Sequence, residues 1–234
     1  MIQSMEQLAP RFTLCRLEHL AAVHLTGADA ASFLHGQVTA DIEGLAEQGF
    51  VAAAYCNPKG RVLAVLRVIR TAPDEFLLVM SRDLVEPVVK RLRMYVLRAK
   101  AVFEPLDRAL FGLPDDGAAS ALFDTLPARG AALSTAGGML VNTGVIANRY
   151  LHLAPSGAPQ GDAAPDAGAD AWLGLQAVDG IAEVFAGTSE TFLPQAINLD
   201  LVGAVNYRKG CYPGQEIVAR CTTSAGSSSG WSAS

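Results

Sequence analysis

Two spacings of apolar residues divide this chain. Phe50–Cys56 and Arg61–Arg70 are apolar runs of strand length, and Val51–Cys56 and Val62–Leu66 are among the densest. Asn57-Pro-Lys-Gly60 between them has proline second and glycine fourth, which is β-turn chemistry, so the two runs are predicted to form a hairpin. Glu75–Met80 follows as a third strand of the same sheet, and Phe12–Leu17 and Ala22–Leu25 are earlier strand candidates. Helical spacing appears in Ala31, Leu34, Val38, Ile42 and Leu45, with Thr26 as cap, Asp29 three residues on, and Gly36 interrupting the run. A second helix is predicted from a Ser81 cap to about Val96. It has Leu84, Val88, Leu92 and Tyr95 on one side and Lys90, Arg91, Arg93 and Arg98 on the other.

Strands are predicted near Lys100–Phe103, Ala109–Gly112, Met139–Thr143 and Arg149–Ala154, with a short helix within 115–127. Residues 155–170 are small, Pro, Gln or Asp and read as a flexible surface loop. Trp172–Val178 comes next, then an irregular Gly/Thr/Pro segment and a short helix after Pro213. From Thr222 the composition is Ser/Gly-rich, which predicts disorder. Strands joined by hairpins and mixed with a few helices give an α+β protein with mostly antiparallel pairing.

Half of the 234 residues are apolar, enough for a sizeable core. The net charge of −5 lacks the basic excess of a protein built mainly to grip nucleic acid, and no direct DNA binding is expected. No apolar run approaches the roughly 20 residues that cross a bilayer, so no membrane association is expected. The N-terminus has neither a basic region nor an apolar segment of signal-peptide type. Cys15, Cys56, Cys211 and Cys221 are scattered, without a CxxC pair. These features point to free thiols in a reducing cytoplasm.

Candidate chemistry is densest in Arg208-Lys-Gly-Cys-Tyr-Pro-Gly-Gln-Glu-Ile-Val-Ala-Arg220. With Pro213 as first helical residue, Cys211 lies just outside a helix N-terminus, where Lys209, Arg208 and the helix dipole favour a thiolate. The alternative is a tight glycine turn in which the cysteine is packing. The stretch 90–100 holds five of the eighteen cations. It reads either as an anion- or RNA-binding stripe or as a solvated helix face. Trp172 is either a core anchor or a stacking platform for a flat heterocycle. The four histidines show no metal-ligand spacing, and phosphate-loop and GxSxG motifs are absent.

Three segments together resemble one family. Gly27-Ala-Asp-Ala-Ala-Ser-Phe-Leu-His-Gly-Gln-Val-Thr-Ala-Asp41 is similar to the first-helix motif of the YgfZ folate-binding family. Asn57-Pro-Lys-Gly-Arg61 is similar to its hairpin turn. Lys209-Gly-Cys-Tyr-Pro-Gly-Gln-Glu-Ile-Val-Ala-Arg220 resembles its long and specific signature, and Phe192–Asp200 also fits. The resemblance runs from about residue 12 to 220 in the family's order. It implies the fold of the glycine-cleavage T-protein (aminomethyltransferase): two interleaved α+β domains, then a C-terminal β-barrel, around a central folate site. It also implies binding of tetrahydrofolate or a derivative. The implied role is assembly or repair of iron–sulfur clusters in client enzymes, some of which modify tRNA, so client or assembly proteins are the implied partners.

The resemblance carries over residue by residue. Trp172 and Leu20 match the places of two folate-contacting tryptophans, and Leu20 offers apolar contact without stacking. Lys209, Tyr212, Gln215 and Glu216 of the signature are implied to serve the ligand, and Cys211 is the candidate thiol. The T-protein hairpin carries an Asp pair where this chain has Ala64 and Val65. Without that carboxylate, acid–base help for aminomethyl transfer is missing. An accessory factor is therefore expected rather than a true transferase, with a one-carbon transferase and an RNA-binding or scaffold protein as rivals. After Arg220 the chain enters its Ser/Gly segment instead of a barrel. The expected organisation is a folate-binding region over residues 1–221 and a disordered tail over 222–234, with apolar surface exposed where a barrel docks.

Overall fold

The computed structural model describes residues 13–155 and 167–226. Ten strands and five helices follow one another: β1 (Cys15–Arg16), β2 (Leu20–Thr26), α1 (Ala30–His35), β3 (Phe50–Cys56), β4 (Val62–Ala72), β5 (Glu75–Ser81), α2 (Val85–Val96), β6 (Val102–Leu106), β7 (Leu110–Leu113), α3 (Asp116–Ser120), β8 (Ala132–Thr135), β9 (Gly138–Asn142), β10 (Tyr150–Leu153), α4 (Ala169–Val178) and α5 (Gln215–Gly226). They build two five-stranded sheets, ordered β3-β4-β5-β2-β6 and β1-β7-β10-β9-β8. All pairings between these strands are antiparallel.

The sheets pack face to face. Leu20, Ala22, Ile69, Leu77 and Val79 of one meet Cys15, Leu110, Met139, Val141, Leu151 and Leu153 of the other, with Trp172 and Leu175 of α4 in the same cluster. The outer face of the first sheet is covered by α1, α2 and residues from the 184–218 segment. The outer face of the second carries α3. Strand β5 shows why its sequence is continuously apolar: Phe76, Leu78 and Met80 enter one core while Leu77 and Val79 enter the other. A strand buried on both faces has no polar side to alternate with. The chain starts in one sheet with β1, builds the other from β2 to β6, and returns with β7. The two units are therefore interleaved, as expected.

The hairpin at Asn57–Gly60 forms, with Asn57 Oδ1 accepting from the Lys59 and Arg61 amides at 2.9 and 3.0 Å. The first long helix does not: α1 ends at His35, with Gly36 as its C-cap in helical conformation. Thr39 explains the stop. Its buried hydroxyl donates to Ala204 O at 2.6 Å and accepts from the Ala54 amide at 2.8 Å, drawing the backbone out of helix. Val38 and Ile42 are fully buried without helical backbone, which is why the spacing misled. Thr26 lies in β2, and Asp29 accepts from the Lys100 amide at 2.7 Å instead of serving a capping box.

Other boundaries move less. A short 3-10 turn, Arg82–Leu84, precedes α2. The helix expected over 115–127 is only α3, and β8 was not expected. Of the segment 155–170, residues 156–166 lie outside the described residues. Helix α5 begins at Gln215 rather than Pro213, because Gly214 takes φ +80°. It continues to Gly226, so the first residues of the segment read as a disordered tail have helical backbone, and 227–234 lie outside the described residues.

Candidate functional site

Two places concentrate the polar residues of interest. The first is where the three resembling segments converge. Gly214 packs so closely on the hairpin that a Cβ there would lie 2.5 Å from Asn57 O and 2.6 Å from Gly60 Cα. Gly60 itself has φ +72°, a conformation that glycine adopts without strain. Lys209 then ties the signature to the end of α1. Its ammonium donates to the carbonyls of His35, Val38 (2.6 Å) and Ala40 (3.0 Å), and it stands 5.3 Å from the centre of the Tyr212 ring. Burial lowers the Lys209 pKa to about 8, against the opposing pull of Asp41 and Glu43. Burial likewise pushes the Tyr212 phenol upward, and its hydroxyl has no hydrogen-bond partner.

This geometry corrects one expectation. Lys209 is engaged with backbone carbonyls and acts as a clamp, not as a free cation serving the thiol. Cys211 is exposed, four residues before α5, and so is not at the helix N-terminus that Pro213 was expected to open. Gln215 lies in the first turn of α5, and Glu216 pairs with Arg220 one turn on at the exposed surface. Cys56, by contrast, is buried, and burial pushes its thiol up to about 12.

The second place is a cavity of about 310 Å³ beside β3 and β4, lined by Phe50–Ala52, Val65 and Arg67 on one side. Arg129, Gly130, Thr143–Val145, Gln176, Ile181, Leu199, Val202 and Gly203 complete its walls. The walls are chiefly apolar, and the polar groups within them are paired incompletely. Arg67 Nη2 donates to Glu183 Oε2 at 2.6 Å in a pair whose side chains are 6% and 2% exposed. Arg67 Nη1, Glu183 Oε1 and Gln176 Oε1 are all buried without a partner. His19 belongs to the same neighbourhood: its ring nitrogens are also unpartnered, and burial lowers its pKa while Glu183 opposes that shift and Arg67 adds to it. Nearby, Arg149 fixes Asp179 at the end of α4 with a 2.8 Å contact. Isolated polar groups in such surroundings are costly unless something completes their hydrogen bonds.

None of the predicted ligand or thiol residues, Trp172, Leu20, Lys209, Cys211, Tyr212, Gln215 and Glu216, lines this cavity. Trp172 is 2% exposed and packs on Gly112, where a Cβ would come within 2.3 Å of the indole. Leu20 is fully buried in the same core. In this conformation both are core residues with no face open to a heterocycle. Ala64 is in the core too, and only Val65 of that pair reaches the cavity. The residues missed were Arg67, Gln176, Glu183 and Arg129. Arg67 had left a signal, as the lone charge within the apolar run Val62–Ile69. Gln176 lies one helical turn after Trp172 and shares its buried side. Among the described residues, no group of three or more His, Cys, Asp or Glu could hold a metal ion. No helix among them is long and apolar enough to cross a membrane.

No family model matches the chain. It is 33% identical over 220 residues to the tRNA-modifying protein YgfZ of Escherichia coli (strain K12) and of Shigella flexneri. The match covers 89% of this chain and 67% of each relative. Among solved structures it is similar to the glycine cleavage system aminomethyltransferase T of Bartonella henselae, with a TM-score of 0.75 at 17% identity. That likeness covers 90% of this chain and 63% of the aminomethyltransferase, so the chain spans less than two thirds of that protein, and the likeness speaks for the fold.

Proposed function

Since the chain belongs to the YgfZ family, we propose that it is a folate-binding accessory protein whose ligand occupies the cavity beside β3 and β4. The observation that carries this reading is the combination of apolar walls with incompletely paired Arg67, Glu183 and Gln176. A pteridine is flat, apolar on its faces and polar along its edge, and a cavity of about 310 Å³ lies in the range of small-molecule sites. Phe50, Val51, Val65 and Val202 would enclose the ring, and Arg129 supplies a cation for the anionic glutamate tail. Bound tetrahydrofolate supplies one-carbon carrier chemistry. The protein's part is to hold the ring, exclude water and present polar partners to its edge.

We propose binding without aminomethyl transfer. Val65 presents an apolar surface where the T-protein pattern has a carboxylate, and Glu183 is engaged by Arg67. Membership of the family of tRNA-modifying protein YgfZ supports a role beside tRNA-modifying enzymes, which we extend to assembly or repair of iron–sulfur clusters in such clients within the cytoplasm. Cys211 is exposed and free for contact with a client. Calorimetric titration of the purified chain with tetrahydrofolate tests the binding step. Saturable micromolar binding is expected. A cooperatively melting chain that takes up none contradicts the reading.

A further inference from the structure

The incompletely paired atoms around the cavity have a polarity pattern. Arg67 is 5% exposed, and its Nη1 is a donor without an acceptor. Gln176 is 6% exposed, and its Oε1 is an acceptor without a donor. Both residues face the one cavity. They come from different elements, the middle of β4 and the last turns of α4, so the juxtaposition is a product of the tertiary fold. Arg67 is immobilised by Glu183 through Nη2, which leaves Nη1 as a donor at a fixed place. A guanidinium has no acceptor and cannot reverse its role.

A ligand that completes both atoms must offer an acceptor to Arg67 and a donor to Gln176. The ring carbonyl and adjoining N–H of a pterin, a cyclic amide, do so. We propose that Arg67 and Gln176 read this lactam edge. Arg67 Nη1 donates to the ring carbonyl oxygen, and Gln176 Oε1 accepts from the neighbouring ring N–H. Glu183 is the positioning residue that orients Arg67. This inference rests on the folate reading and adds to it the two residues that set specificity for an oxo over an amino substituent on that ring carbon. A 4-amino pteridine presents an amino group and a bare ring nitrogen at the same positions. Its amino group then meets the Arg67 donor, and buried groups lose their partners.

The test compares tetrahydrofolate with tetrahydroaminopterin, its 4-amino counterpart, by calorimetry on the full chain. The wild type is expected to prefer tetrahydrofolate by roughly ten- to a hundredfold. Gln176→Leu and the double change Arg67→Met/Glu183→Met are each expected to bring the two ligands within about threefold, chiefly by weakening tetrahydrofolate. The double change removes both charges together, which buried pairs often tolerate. If it fails to fold, Gln176→Leu decides alone. Equal binding of both ligands by the wild type, or an undiminished preference in the variants, overturns the inference while leaving folate binding intact. Failure of the wild type to bind either ligand overturns the folate reading and the inference together.

Discussion

The clamp at Lys209 holds a partly buried cation and the cavity at Arg67 a buried one, and they differ in how that cation is satisfied. Lys209 donates to three backbone carbonyls from the segment that ends α1. Arg67 has one carboxylate for its guanidinium and a further nitrogen with no partner. The first arrangement is complete within the chain. The second leaves buried atoms without a partner among the described residues. A buried polar group that is fully paired specifies a conformation, whereas one left unpaired in an otherwise apolar cavity needs partners that the described residues do not supply.

The largest effect that would sharpen this contrast lies at the clamp's base. Gly214→Ala would drive a Cβ into the Asn57 carbonyl and the Gly60 backbone at a φ of +80°. Urea unfolding should show a loss of about 3 kcal/mol. A loss below about 0.5 kcal/mol would mean that the hairpin and signature are not locked together.

Lys209→Met should cost about 2 kcal/mol, since the carbonyls of His35, Val38 and Ala40 lose their donor. The clamp also has a pH signature. Burial lowers the folded Lys209 pKa from 10.5 to about 8, so the unfolded chain binds more protons between those values. Stability from this group is therefore fully present above the unfolded pKa and is lost as pH falls through about 8. The melting temperature of the wild type relative to Lys209→Met should rise across that interval. A flat difference would show that the amine is not held as described.

A smaller effect is expected at Trp172. Trp172→Phe shortens the ring that packs on Gly112 and should cost about 1 kcal/mol of stability. Folate affinity should stay within about threefold, because the indole is in the core. A tenfold loss of affinity would restore the stacking role that the sequence suggested.

Much of the fold was legible because its signals are local. The Asn57–Gly60 turn, the hairpin strands and the helix from Val85 follow from turn chemistry and spacing. The span Ala31–Leu45 was misread because burial alone produced its periodicity. Val38 and Ile42 are held in the core by the Thr39 and Lys209 hydrogen bonds, and those depend on residues about 170 positions away. The signature was recognisable as a motif, and the contacts that give Lys209 its work were not visible from spacing. The cavity was least legible. Its polar side chains, Arg67, Arg129, Thr143 and Gln176, come singly from β4, the loop before β8, the loop after β9 and α4, and no two share a motif. Arg67 alone broke a local pattern, as a charge where a doubly buried strand has no place for one.

The proposed ligand site is the cavity and not the signature loop. A side-by-side calorimetric titration of Val202→Trp and Cys211→Ser with tetrahydrofolate tests it most directly. Val202 is a half-buried wall of the cavity, and a tryptophan there fills it, whereas Cys211 is exposed on the signature. Val202→Trp is expected to melt normally and lose binding, while Cys211→Ser binds like the wild type. Wild-type affinity in Val202→Trp, with binding lost in Cys211→Ser, would contradict it.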